Sequence, residues 1–158
     1  MLNLKVKTNL PKVRNRYNKF INKFPSIITK GLEQAGVQLK EIILERTDRG
    51  LDFNKRKFTP YSQAYSEEKG KTVVNLQDTN DMLQSIDSKI INKNKVQLFF
   101  REQTQAKKAL FHQRGLGNLP KRIFFKFNDR TEKLISKTFE KFLKKEIKRF
   151  KIWVKEKI

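Results

Sequence analysis

His112 is the one histidine of this 158-residue sequence. It is also the one side chain that titrates near neutrality at its ordinary pKa. It lies in Leu110-Phe-His-Gln-Arg-Gly115. Acid–base work by such a group needs an orienting carboxylate and a nucleophile, or a metal. From Arg101 to Lys126 the one acid is Glu102, so His112 reads as a hydrogen-bonded structural residue at a helix end. Gly115-Leu-Gly117 lacks the third glycine of a dinucleotide fingerprint and precedes Pro120. Asp78, Asp81 and Asp87 fit turns and caps, not the spacing of a calcium loop. Lys55, Arg56 and Lys57 stand among Phe53, Phe58, Tyr61 and Tyr65. Cations beside aromatics suit single-stranded nucleic acid, through phosphate contact and base stacking. The same aromatics would equally anchor a long loop onto its own domain or a neighbouring subunit, which is the preferred reading because no strand platform carries them.

Composition narrows the classes. There is no cysteine, which removes thiol catalysis, disulfides and Cys/His zinc sites. The acids are scattered, so a metal-dependent nuclease lacks its carboxylate cluster. No catalytic residue, cofactor or metal is expected, and the chain is read as no enzyme. The net charge is +21, from 37 Lys and Arg against 16 Asp and Glu. Such a charge favours an anionic partner. Lys outnumbers Arg, and no base-reading motif is present, so non-specific phosphate contact is the expected mode. No apolar run is long enough to span a membrane. The start lacks a signal-peptide stretch, so a protein of a reducing compartment, or of a particle assembled there, is expected.

These residues need elements to position them. The length fits a single domain, residues 1–158. Leu2 to Thr8 alternate as a half-buried strand. From Pro11 to about Arg46, apolar residues recur every three or four positions, as on an amphipathic helix. Pro25 predicts a break, with Ser26 capping a second, longer helix and Gly50 stopping it. Residues 50–80 read as a long polar loop. Asp78 to Asp81 open a short helix with Met82, Leu83 and Ile86. A hairpin follows, Ser88 to Ile91 and Val96 to Phe100 about an Asn92-Lys-Asn94 turn. Gln103 to Gln113 reads as a helix and Arg122 to Phe127 as a strand. Asn128 or Asp129 caps a final helix, residues 129–155, reaching Val154. Its stripe of Leu134, Ile135, Phe139, Phe142, Leu143, Ile147 and Phe150 is expected to pack on the sheet. The class is therefore α+β: a small, mainly antiparallel sheet packed by a long N-terminal helix and a long C-terminal helix, with a long polar loop.

Three segments, in order, resemble the virion morphogenesis or tail completion family of Mu-like tailed phages. The first is Asp52-Phe-Asn-Lys-Arg-Lys-Phe-Thr-Pro-Tyr-Ser62, through Phe58, Pro60 and Ser62. The second is Leu76 to Ile86, through Leu76, Thr79, Leu83, Ser85 and Ile86. The third is Phe111-His-Gln-Arg-Gly115 with Leu119-Pro-Lys-Arg-Ile-Phe-Phe125, similar to a His-Gln-x-Gly turn followed by Pro-x-Arg-x-Phe and a terminal helix. The likeness spans about residues 26–145. The sequence departs from the family at Phe58, where Trp is usual, and at Lys57 and Asn80, where Gly is usual.

The resemblance implies a structural virion protein that completes or terminates the tail, or joins head and tail, as a ring around the DNA channel. Its partners would be further copies of itself, in a ring that is often hexameric, other tail or neck proteins, and genomic DNA by non-specific contact, with no membrane. Phe58, Pro60, Tyr61, His112, Arg122 and Phe124 are the expected assembly residues, and Lys55, Arg56 and Lys57 the DNA-facing ones. Arg122 is expected to hold a carboxylate or carbonyls at a sheet edge. Phe124 and Phe125 are expected to point opposite ways, one under the last helix and one towards a neighbour. The alternative is a non-specific DNA-binding accessory protein.

Overall fold

A computed structural model describes residues 9–70 and 73–150. The expected first strand, Leu2 to Thr8, and the far end of the last helix lie outside the described residues.

The chain begins with one continuous helix, α1, Leu10–Asp48, of 39 residues. At 1.5 Å per residue it is about 58 Å long. Pro11 sits at its first turn, where a missing N–H costs nothing. The expected break at Pro25 does not occur: Pro25 lies inside the helix. Its ring sits on the exposed face, so the carbonyl it leaves unpaired meets water. Ser26 is no cap. Its hydroxyl donates to the Lys23 carbonyl at 2.8 Å, and Thr29 donates to that of Pro25 at 3.1 Å. Gly50, at φ +72°, turns the chain out of the helix as expected.

Two glycines make α1 a spine. A Cβ on Gly31 would lie 2.5 Å from the Phe139 ring, and one on Gly36 would lie 2.8 Å from Ser88. Their absence lets the last helix and the hairpin approach closely. The hairpin is β1, Ile86–Asn92, and β2, Lys95–Phe100, antiparallel with Ile86 opposite Phe100. It is the one sheet among the described residues, and the fold is α+β.

The polar stretch 50–80 is not all loop. It holds α2, Gln63–Lys69, capped by Ser62, whose hydroxyl accepts the Tyr65 N–H. Gly70, at φ +62°, ends it. A seven-residue helix without an apolar stripe leaves no period to read. The four-residue α3, Asp81–Gln84, carries Met82 and Leu83 into the core; Ile86 already belongs to β1. α4 spans Gln103–Arg114 and ends on Gly115 in the left-handed region.

Arg122 to Phe127 is no strand: the chain bends at Phe125, and the Phe124 N–H turns back to the Arg122 carbonyl at 3.0 Å. The segment's backbone groups are also taken from elsewhere: the Ile123 carbonyl by the Phe53 N–H at 3.3 Å, others by side chains. Gln113 Oε1 accepts from the N–H of Phe124 and of Phe125 at 3.1 Å each. The buried Arg46 of α1 donates to the carbonyls of Phe124 and Lys126. With these groups occupied, no ladder forms.

The last helix, α5, runs Asp129–Arg149 with Asn128 as its cap, accepting the Thr131 N–H at 3.0 Å. It packs on α1, not on the sheet. The two run antiparallel, Phe150 meeting Phe20 at 5.3 Å between ring centres and Phe139 meeting Gly31. The core gathers Ile43, Phe58, Leu76, Leu83, Ile86 and Phe124, among others, at the far end of α1.

Candidate assembly site

The three segments that carry the resemblance meet around one cavity of about 430 Å³. Pro60, Tyr61 and Ser62 come from the first, Leu76, Thr79, Asn80 and Met82 from the second, and His112, Leu119, Pro120 and Arg122 from the third. Leu76 and Met82 also belong to the core, so the cavity floor is the core itself.

Arg122 ties the first segment to the third. Its Nε and Nη2 donate to the Thr59 carbonyl at 3.1 and 3.0 Å, and Nη2 reaches the Pro60 carbonyl at 3.2 Å. The guanidinium lies 5.0 Å from the centre of the Tyr61 ring. Lys69 takes up the same ring at 4.9 Å, and donates to the Tyr61 hydroxyl and to Asn75 Oδ1 at 3.2 Å each. Tyr65 meets Tyr61 edge-on at 4.9 Å. The carbonyls expected to receive Arg122 at a sheet edge are therefore those of the loop before α2. Burial lowers the Arg122 pKa from its usual range, opposed by Tyr61 and Tyr65.

The third segment is held by its own glycine and glutamine. Gly115 sits at φ +69°, and a Cβ there would lie 2.9 Å from the Lys121 nitrogen. The turn closes with the Arg122 N–H on the His112 carbonyl at 2.8 Å. A His-Gln-x-Gly run followed by Pro-x-Arg-x-Phe thus has a physical content. Gly allows the reversal, Gln holds the returning backbone, and Arg fastens it to the loop. In the second segment, Asn80 caps α3 at φ +67°. Asn tolerates this left-handed conformation better than most residues. Asn80 thus holds a conformation that Gly most readily supplies.

The expected site residues fall into three groups. Pro60, Tyr61, His112 and Arg122 line the cavity. Phe58 and Phe124 are core residues behind it, and Phe124 has no exposed surface. Phe124 and Phe125 do not divide between the last helix and a neighbour. Both rings turn to Phe100, at 6.5 and 4.9 Å. Lys55, Arg56 and Lys57 are exposed on a tight turn in which Asp52 Oδ1 accepts the N–H of Asn54 and of Arg56 at 2.8 Å each. They lie apart from the cavity.

His112 differs from its expected role. Its Nδ1 is buried without a hydrogen bond, as is Oε1 of Gln105, one of the cavity residues two turns earlier on α4. Burial, and next the positive charge of Arg122, lower its pKa below the usual imidazole value. Asp78 is the one carboxylate on the cavity wall. Among the described residues no three of His, Cys, Asp and Glu are grouped as metal ligands. Arg46, Gln105 and Lys69 escaped sequence reading. A buried cation or amide on a polar helix face has no periodic mark.

No family model, curated protein or solved structure matches this chain. The functional reading therefore stands on the residues and their geometry. No helix among the described residues is long and apolar enough to cross a membrane.

Proposed function

We propose that this chain is a structural protein of a tailed-phage or prophage virion, one subunit of a ring that completes the tail or joins it to the head. The observation that carries the reading is the convergence of the three family-like segments on one cavity, with Arg122 fastening the third to the first. Segments that each resemble the family along the sequence share one structural unit here, which supports the reading. The reading assigns the chain no catalytic turnover.

A ring subunit also needs surface to offer its neighbours. The first half of α1 carries Leu10, Val13, Tyr17, Ile21 and Phe24, all exposed, from 73% at Leu10 to 38% at Phe24. Their spacing of three, four, four and three residues puts them on one stripe. Contiguous exposed apolar surface of this kind favours association.

The test is to purify particles from a strain whose copy of this protein carries a small tag, and to locate the tag by cryo-electron microscopy. Density at the tail end or head–tail joint, in rotational symmetry, supports the reading. Absence of the protein from intact particles rejects it.

A further inference from the structure

We infer that the groove between α1 and α5 is a phosphate-binding face, fitted to one strand of a DNA duplex lying along it. The proposal rests on the ring reading, which the resemblance sets around a DNA channel, and names the surface that would meet the duplex.

The groove is an open trough of about 1580 Å³ lined by eight cations, two from α1 and six from α5. Only two carboxylates, Glu140 and Glu146, line it as well. Both are already engaged, Glu140 with Lys144 at 3.9 Å and Glu146 with Arg149 at 2.6 Å. Lys23, Lys30, Lys137, Lys141, Lys145 and Lys148 have no carboxylate within 4.0 Å among the described residues. Their charge is left for an outside partner.

Spacing argues for an extended polyanion. Lys137, Lys141 and Lys145 recur every fourth residue, so they form a row along one side of α5. From Lys137 to Arg149 the cations run about 18 Å along the axis. Duplex DNA presents a phosphate every 3.4 Å of axis on each strand, so one strand offers several phosphates over that length. Ile27, Phe142 and Phe150 form an apolar floor. Long lysine stems lie along such a floor and leave their ammonium groups at the rim. Lysines on flexible stems are point charges without a base-reading fork, so contact is indifferent to sequence. Of the turn cations Lys55, Arg56 and Lys57, Lys55 alone lines a hollow among the described residues, and that hollow is small, about 230 Å³.

The test measures binding of a fluorescein-labelled 20-base-pair duplex by anisotropy, at a series of KCl concentrations. It compares the parent chain with Lys137→Ala/Lys141→Ala/Lys145→Ala and with Lys55→Ala/Arg56→Ala/Lys57→Ala. All three substituted groove lysines are exposed, and thermal melts confirm that each variant is folded. The groove variant is expected to lose about 2.7 from the slope of log K against log salt, at about 0.9 per phosphate contact. It should also lose at least about tenfold in affinity near 0.1 M salt, with the turn variant changing little. Equal losses in the two variants would mean diffuse attraction to net charge and would overturn the assignment. So would a larger loss in the turn variant, or no loss in either. Polyglutamate competing as well as duplex at matched charge would make the occupant an acidic protein, and would also overturn it. Incorporation of each variant into particles is counted separately, so failure of the groove and failure of the virion role give different results.

Discussion

Gln113 holds Phe124 by its backbone: the side-chain oxygen accepts the Phe124 N–H at 3.1 Å. The same oxygen takes the Phe125 N–H at 3.1 Å, while Nε2 donates to the Phe125 carbonyl at 3.2 Å. One amide therefore stands in for a neighbouring strand. Gln113→Ala removes three hydrogen bonds and takes the amide from the part-buried Phe125 N–H and C=O, while the Phe124 N–H keeps the Arg122 carbonyl at 3.0 Å. It should cost about 2–3 kcal/mol. Gln113→Glu keeps an acceptor for both N–H groups but sets its second oxygen against the Phe125 carbonyl, so its loss should be smaller. Urea unfolding with an unchanged slope checks both. A shift below about 0.5 kcal/mol for Gln113→Ala would mean that water replaces the amide.

That amide also shows where sequence reading reaches its limit. Arg122 to Phe127 has the composition of a strand, but its chain bends at Phe125. Whether an extended segment joins a sheet depends on who takes its N–H and C=O groups, and here Gln113 and Arg46 arrive first. Such long-range partners leave no local signal. The elements marked by local chemistry were legible: the Asn92-Lys-Asn94 hairpin, the Asn128 cap and the Gly50 stop. Pro25 does not end α1 because it lies on the exposed face, a placement that the residue type does not reveal. The amphipathic stripe of α5 announced a packed helix but not its partner. Gly31, the residue that lets α5 sit on α1, reads in the sequence as one small residue among many.

Arg122 lies inside the fold, only 3% exposed, bridging Thr59 and Pro60 over the Tyr61 ring. Arg122→Ala should lose about 2–3 kcal/mol, since it strands carbonyls that a cation had satisfied. Arg122→Lys keeps the charge but not the fork, and should lose about half as much. In both, limited proteolysis should speed up within residues 59–70 before it does elsewhere. Cleavage that stays as slow as in the parent would separate Arg122 from the order of this segment.

Gly31 and Phe139 set the distance between the two long helices. With the Phe139 ring 2.5 Å from where a Cβ would stand, Gly31→Leu must push α5 away. Overpacking of this kind costs about 1–3 kcal/mol. Gly31→Ala meets the same ring but gains about 1 kcal/mol of helix propensity, so it should be close to neutral. Thermal melts of the two variants check the contrast. A Gly31→Leu variant as stable as the parent would show that α5 repacks without loss.

His112 gives the fold a pH dependence that can be read from one residue. Its Nδ1 is buried and unpaired, and the charged groups around the cavity are Arg122, Lys69 of α2, Lys108 on its own helix, and Asp78 before α3. Burial and Arg122 disfavour the imidazolium, so the folded pKa lies below the unfolded value of about 6.5. Between those two values the unfolded chain binds more protons than the folded one, and stability rises with pH. This contribution is fully present above about pH 6.5 and is lost as pH falls through the folded pKa. As the sequence has one histidine, a single imidazole Hε1 resonance reports the titration directly. Its midpoint should fall below about 6.5. The slope of stability against pH just below about 6.5 should shrink in His112→Gln. A midpoint at or above the unfolded value would mean that Nδ1 finds an acceptor in solution and that the cavity closes differently around it.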